Sequence, residues 1–167
     1  PGIPEVRDYI IAVIMDVVHN YDIDGVHFDD YFYPYPEKQE LPDTVTYAKY
    51  GTAFADINDW RRHNVDTLIK VLADSIHKVK KYVKFGISPF GIWRNLKDDP
   101  NGSKTYGFSA YNTLFADARK WVKSGWVDYI NPQIYFPFYY KVAAFEHLLD
   151  WWSMNSFNRQ LYIGQAV

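Results

Sequence analysis

The chain has 167 residues and a formal net charge of −2. That length suffices for one domain with a real core. The near-neutral charge gives no electrostatic case for nucleic acid or an anionic membrane, and the apolar runs are far too short to cross a bilayer. With no cysteine there is no disulfide framework, thiol nucleophile or thiolate metal site, and the redox compartment stays open. Aromatic residues make up 19% of the chain, with Tyr (15) ahead of Phe (11) and Trp (6). Rings with a polar tip suit a half-wet surface that covers the flat faces of sugars, and they also suit a large aromatic core; composition leaves both readings open. No secretory signal is visible and the chain opens on Pro1-Gly2, which points to a piece of something larger.

Residues 1–20 read as a helix. Pro4 suits the first turn and Glu5 the positive end. Ile10, Ile11, Ile14, Val17 and Val18 recur at helical spacing, and His19 serves as a C-terminal cap. After a short link, Ile23–Phe28 is a strand. Alternation places Val26 and Phe28 on a helix-facing side, and His27, Asp29 and Tyr31 on the side that would face into a barrel. Asp30 falls on the opposite parity where the strand is ending, and a twist or bulge would bring it to the same mouth. Residues 31–46 form a loop with three prolines and with Glu37 and Glu40, long enough to be a lid or binding loop.

Residues 47–82 are helical in two pieces broken near Gly51. The second piece carries an apolar stripe from Ile57 to Val79, with Arg61, Arg62 and His63 as its solvated face. Residues 82–88 are the second strand, ending in Ser88-Pro89-Phe90-Gly91-Ile92-Trp93-Arg94. A loop to about Ser109 turns at Asp98–Gly102. Residues 111–124 are one helix capped by Gly125. Residues 126–135 are the third strand, with Val127, Tyr129, Asn131, Gln133 and Tyr135 on one face. The aromatic loop 136–140, a helix over 142–155 and a fourth strand over 161–166 complete the order. Strand-to-helix loops are long and aromatic, and helix-to-strand links are short. That asymmetry belongs to a (β/α) barrel, whose function sits on the βα loops. A whole barrel needs eight strands and about 250 residues, so the expected fold is α/β, a partial (β/α)8 TIM barrel of about four parallel strands, with residues 1–167 as one fragment of a single domain.

Three stretches, Asp24–Pro36 (DGVHFDDYFYPYP), Ser88–Arg94 (SPFGIWR) and Tyr129–Tyr135 (YINPQIY), together resemble the glycosyl-hydrolase-like family 10, whose members are mostly bacterial envelope proteins. The resemblance covers essentially the whole chain. It implies that the segments correspond to the family's fourth to seventh barrel strands, that the activity is glycosidic, and that the location is the cell envelope (periplasmic or outer-membrane-associated) or outside the cell. One branch of the family is similar to enzymes that cut peptidoglycan strands stripped of peptides. The missing strands would leave this chain alone inactive and with open sheet edges, so two copies are expected to self-associate.

Most glycosidases flank the scissile bond with two carboxyl groups. The strand ends here offer Asp29 and Asp30. Their adjacency resembles substrate-assisted N-acetylhexosaminidases, where one carboxylate orients the sugar's own N-acetyl group and its neighbour is the acid. Asp29 is assigned as the inward nucleophile or orienter and Asp30 as the acid, whose pKa would be raised by burial or by its charged neighbour. Glu37 or a carboxylate outside the chain is the alternative partner. Against this stands the plain reading that both aspartates only bind loop amides. His27, Tyr31, Tyr33, Ser88, Trp93, Arg94, Asn131, Gln133 and Tyr135 are candidate substrate-binding groups. The rings would stack on sugar, Arg94 would clamp a carboxylate such as a lactyl group, and Asn131 and Gln133 would bond hydroxyls. Core packing for the rings, a surface ion pair for Arg94 and a satisfied polar layer for the amides are the competing readings.

One His with two Asp is a weak metal signal, so neither metal nor cofactor is expected. The expected partner is an oligo- or polysaccharide. The principal reading is a glycoside hydrolase acting on an envelope glycan. The alternatives are a non-catalytic carbohydrate-binding barrel and, more weakly, a metal-dependent polysaccharide hydrolase or deacetylase using His27, Asp29 and Asp30.

Overall fold

The computed structural model describes residues 2–36 and 41–166. Strands and helices alternate: α1 (Pro4–Asn20), β1 (Gly25–Phe28), α2 (Thr44–Tyr50), α3 (Ile57–Val79), β2 (Lys84–Ile87), α4 (Ala118–Lys123), β3 (Tyr129–Ile130), α5 (Phe145–Met154) and β4 (Gln160–Leu161). The strands form one sheet in the order β1-β2-β3-β4, all parallel. Short αβ links (residues 21–24, 80–83, 124–128 and 155–159) and long βα loops (29–43, 88–109 and 131–144) separate them. This is a partial (β/α) barrel, and all three long loops leave the C-terminal edge of the sheet. Among the described residues no helix is long and apolar enough to cross a membrane.

Period-2 alternation sorts the sheet. Phe85, Ile87 and Ile130 are fully buried, with Val26, Phe28 and Leu161 packed beside them under the helices. His27, Lys84, Gln160 and Tyr162 are exposed on the concave face. Helix α3 anchors the core through Trp60, Ile69, Leu72 and Ile76, each such burial stabilising by about 1.5–3 kcal/mol. Its start is fixed by Asp56, whose side chain accepts from the amides of Asn58 and Asp59. Two deep indoles have their N–H groups satisfied: Trp121 donates to Asp66 (2.6 Å) and Trp152 to the Gly91 carbonyl (2.8 Å).

Several expectations change. The single helix expected over 111–124 is two pieces, a π-helical turn (Ala110–Leu114) and α4, separated by Phe115 in a left-handed conformation (φ 55°). Phe115 is buried against Tyr33 and under Arg61, so packing holds a backbone state that a β-carbon disfavours. Gly125 follows α4 with φ 72°, as a helix-ending glycine should. The third and fourth strands are shorter than expected as regular ladders. Pairing resumes beyond them as single bridges, Gln133 with both Phe90 and Gly164. Within the third, Val127 is buried in the core, while its parity partner Tyr129 lies on the concave face. Arg61 and Arg62 are not a solvated face. Arg61 forks onto Asp43 (2.5 and 2.8 Å) and Arg62 stacks on Tyr111. On α1, Ile11, Ile14, Met15 and Val18 face the core as the pattern requires, but Val17 turns outward with Val6, Tyr9 and Val13. His19 Nδ1 donates to the Met15 carbonyl (2.5 Å), capping the helix end.

Candidate active site

The strand ends converge on the Asp29–Asp30 step. Asp29 and Gln133 have inward parity on β1 and on the extension of β3, and two strands apart their side chains meet. Gln133 Nε2 donates to Asp29 Oδ1 (2.5 Å) and to the Ser88 carbonyl (3.1 Å). The Gln133 backbone is pinned in turn, its amide donating to Pro89 (2.9 Å). Ser88 Oγ donates to the Asn131 carbonyl (2.8 Å). So Ser88, Asn131 and Gln133 form a polar rim that fixes Asp29 from the side of β2 and β3.

Asp30 differs from its neighbour. It is 3% exposed, whereas Asp29 is open to solvent. Its Oδ2 accepts the Tyr35 hydroxyl (2.5 Å) and its own amide donates to Asp29 Oδ1 (2.8 Å). Burial pushes the Asp30 carboxyl above the ordinary aspartate value, with the Asp29 charge adding to the rise and the Tyr35 bond opposing it. Burial and the hydrogen bond to Asp30 likewise raise Tyr35. Two adjacent carboxyl groups thus sit in unlike surroundings, an arrangement that separates an acid from a base or nucleophile.

Below this step lies a second polar layer on the concave face. His27 Nδ1 and the Tyr129 hydroxyl share a hydrogen bond (2.9 Å), and their rings stack at 5.7 Å and 11°. Between them in register is Gly86, where a β-carbon would come within 2.0 Å of the Tyr129 ring. Only glycine lets the phenol lie across β2 to reach His27. Lys84, Asn131, Gln160, Tyr162 and Ile163 complete the wall of a 550 Å³ hollow here.

The remaining sequence candidates separate. Tyr31 is 75% exposed with its ring 5.8 Å from Tyr35, and Tyr135 is also exposed, so both are available to a ligand. Tyr33 is buried against Phe115, and burial raises its hydroxyl to about 12. Trp93 is 5% exposed, donates to Asp117 (2.9 Å) and stacks on Trp151 at 5.7 Å. Arg94 is held by Asp99 (2.6 Å) and the Asp98 carbonyl (3.1 Å) and lies over Tyr111. The structure therefore gathers Asp29, Ser88, Asn131 and Gln133 at one mouth, with Asp30 buried directly behind Asp29, His27 beneath and Tyr31 beside it, and places Tyr33, Trp93 and Arg94 in internal packing. Glu37 lies outside the described residues. Sequence reading misses the roles of Tyr35 and Tyr129. Tyr35 lies inside the aspartate motif, and Tyr129 has the parity of the inward face, so the signal for each is present but undirected. Among the described residues, no three or more His, Cys, Asp or Glu side chains are grouped to hold a metal ion.

Comparison with known proteins places the chain in a family. Residues 1–167 match the family described as Glycosyl hydrolase-like 10. The chain is 54% identical to Glycosyl hydrolase YngK of Bacillus subtilis, with all of this chain and 34% of that protein covered. It is 48% identical to Glycosyl hydrolase DigH of Escherichia coli K12, with 99% of this chain and 38% of that protein covered. The chain thus spans about a third of the length of the curated relatives it matches.

Proposed function

This chain belongs to the glycosyl hydrolase-like 10 family, and we propose that it contributes the acid-bearing wall of a glycoside hydrolase acting on a bacterial envelope glycan such as peptide-free peptidoglycan strands. The observation that carries the reading is the asymmetric carboxyl pair, Asp30 buried with a raised pKa beside an open Asp29. In this proposal Asp30 protonates the leaving oxygen. The proton leaves Asp30 Oδ as the glycosidic C–O bond breaks, and the departing sugar carries it away as a hydroxyl. Asp29, oriented by Gln133, either attacks the anomeric carbon or holds the sugar's N-acetyl group in place to do so; water then attacks the anomeric carbon, breaks that new bond and returns its proton to the Asp30 carboxylate. Tyr31 and Tyr135 stack on sugar faces, and Asn131 with Ser88 keeps the rim in register.

The test uses the full-length parent protein and mass spectrometry of digests of peptide-free peptidoglycan strands. Asp30→Asn and Asp29→Asn should each lower turnover by about 10²–10⁴-fold while leaving glycan affinity within a few-fold. A parent with no turnover, or variants with undiminished turnover, would overturn it. One observation favours a second reading, a carbohydrate-binding barrel without catalysis: Asp29 accepts the Asp30 amide, as aspartates do in purely structural turns. In that case the parent binds strands and never cuts them.

The proposed location is the cell envelope or the exterior. Recovery of the native protein in the cytoplasmic fraction after osmotic shock would refute this. The open edges of β1 and β4 and the outward Val6, Tyr9 and Val13 of α1 support self-association of the isolated chain, which static light scattering reads as a mass above that of the monomer.

A further inference from the structure

A second binding region lies away from the aspartates. The loops after β2 and β3 are tied together where the Tyr106 amide donates to the Val142 carbonyl (2.9 Å). Between them runs a groove of about 820 Å³ whose walls include Lys97, Lys104, Lys141, Tyr106 and Tyr140. All three lysines are exposed, and among the described residues none of them pairs with a carboxylate. The acidic side chain in the wall, Glu146, is turned onto the Tyr139 amide (3.2 and 3.3 Å). The groove is therefore cationic and aromatic.

A continuous row of rings connects it to the carboxyl pair. From Tyr31 the row passes through Tyr35, Phe108, Phe90 and Phe136 to Tyr140, with centroid steps of 5.0–6.2 Å. Tyr35, second in the row, donates its hydroxyl to Asp30, and Tyr140 at the far end is part of the groove wall. An extended chain of sugar rings laid along the row would reach the lysines with units well removed from the bond being cut. Aromatic rings cover sugar faces of any charge. Three exposed ammonium groups discriminate by charge, because each gains more from a nearby anion than from a neutral hydroxyl.

We propose that this groove is a distal subsite that binds a carboxylate-bearing sugar unit of the same glycan, selecting acidic over neutral chains. The proposal rests on the glycosidase reading for the identity of the ligand, but it has its own readout. The experiment measures binding of the full-length parent, and of its Lys97→Gln, Lys104→Gln, Lys141→Gln triple variant, to peptide-free peptidoglycan strands. Matched strands whose lactyl carboxylates are methyl-esterified serve as the neutral probe. The parent should bind free strands about tenfold more tightly than esterified ones, with the difference shrinking as salt rises. The triple variant should bind both at the esterified level. Its turnover of a short neutral aryl glycoside should equal the parent's, because none of the three lysines belongs to the aspartate mouth. Equal affinity of the parent for both probes, or an unchanged preference in the triple variant, overturns the subsite while leaving glycosidase activity standing. A preference that depends on the lysines, in a parent that cuts nothing, upholds the subsite and sinks the catalytic reading alone.

Discussion

Two loops leave neighbouring strands with similar residues and opposite fates. The loop after β1 reads Asp29-Asp30-Tyr31, and the loop after β2 reads Trp93-Arg94 and continues to Asp98-Asp99. In the second loop the polar groups largely find partners within the chain. Trp93 holds Asp117, Arg94 holds Asp99, Asn95 bonds Asp98 and Gly107, and Ser103 and Thr105 close a buried knot. In the first, Asp29 faces solvent and Tyr31 is bare. Residue type does not distinguish the two loops; the difference is how much of each the fold leaves exposed. The acids record it. Asp30 is pushed up by burial, whereas Asp99 is pulled down by the Asn101 amide, with the Asn101 side chain and the Arg94 charge assisting.

The sharpest way to break this contrast is to truncate one ring in each loop. Trp93→Ala should cost about 3–5 kcal/mol of stability by emptying a packed site, read as a large fall in urea midpoint. Tyr31→Ala should stay within about 0.5 kcal/mol of the parent and lose glycan affinity instead. A strongly destabilised Tyr31 variant would erase the distinction.

A smaller effect is expected at Tyr35. Removing its hydroxyl in Tyr35→Phe takes away a bond that lowers the Asp30 pKa, so that pKa rises further. An acid works only while protonated, so the high-pH limb of the activity profile should move to higher pH. The stability loss should be about 1 kcal/mol. A limb that moves down or stays in place would remove Asp30 from the acid role.

The smallest effect separates the two aspartates by sign. Asp30 has a folded pKa above the ordinary 3.8. Its contribution is present below that value and is lost as pH climbs through the raised pKa. Asp99 has a folded pKa below 3.8, so its contribution is present above the ordinary value and is lost as pH falls. Relative to the parent, Asp30→Asn should therefore gain stability as pH rises from the acid range to neutrality, and Asp99→Asn should lose it. Denaturation curves across that range read both slopes, and parallel slopes would contradict the assignment.

Alternation along the chain makes much of this legible in the sequence. It puts His27, Asp29, Asn131 and Gln133 on one face, and those side chains do share the concave side, because a parallel sheet enforces period 2 across every strand. Loop asymmetry likewise shows from which edge of the sheet the long loops leave. What stays hidden depends on distant partners. Nothing near Trp93 announces Asp117, and nothing near Arg61 announces Asp43, so a buried indole and a paired guanidinium read as a sugar platform and a wet surface. The left-handed Phe115 is equally silent, since phenylalanine carries no breaker signal and packing against Tyr33 and Arg61 holds it there.

The stacking of Trp93 on Trp151, and of Trp151 edge-on against Trp152 (4.8 Å, 88°), has an optical consequence. Three indoles this close share their excited states, and the crossed pair should give a strong near-ultraviolet circular dichroism band. The trio is wired into the β2 loop and α5, with Trp152 bonded to Gly91 and Trp151 to the Asn101 carbonyl. It stands apart from the tyrosines that line the mouth. The molecule thus carries a built-in tryptophan signal for the integrity of its scaffold.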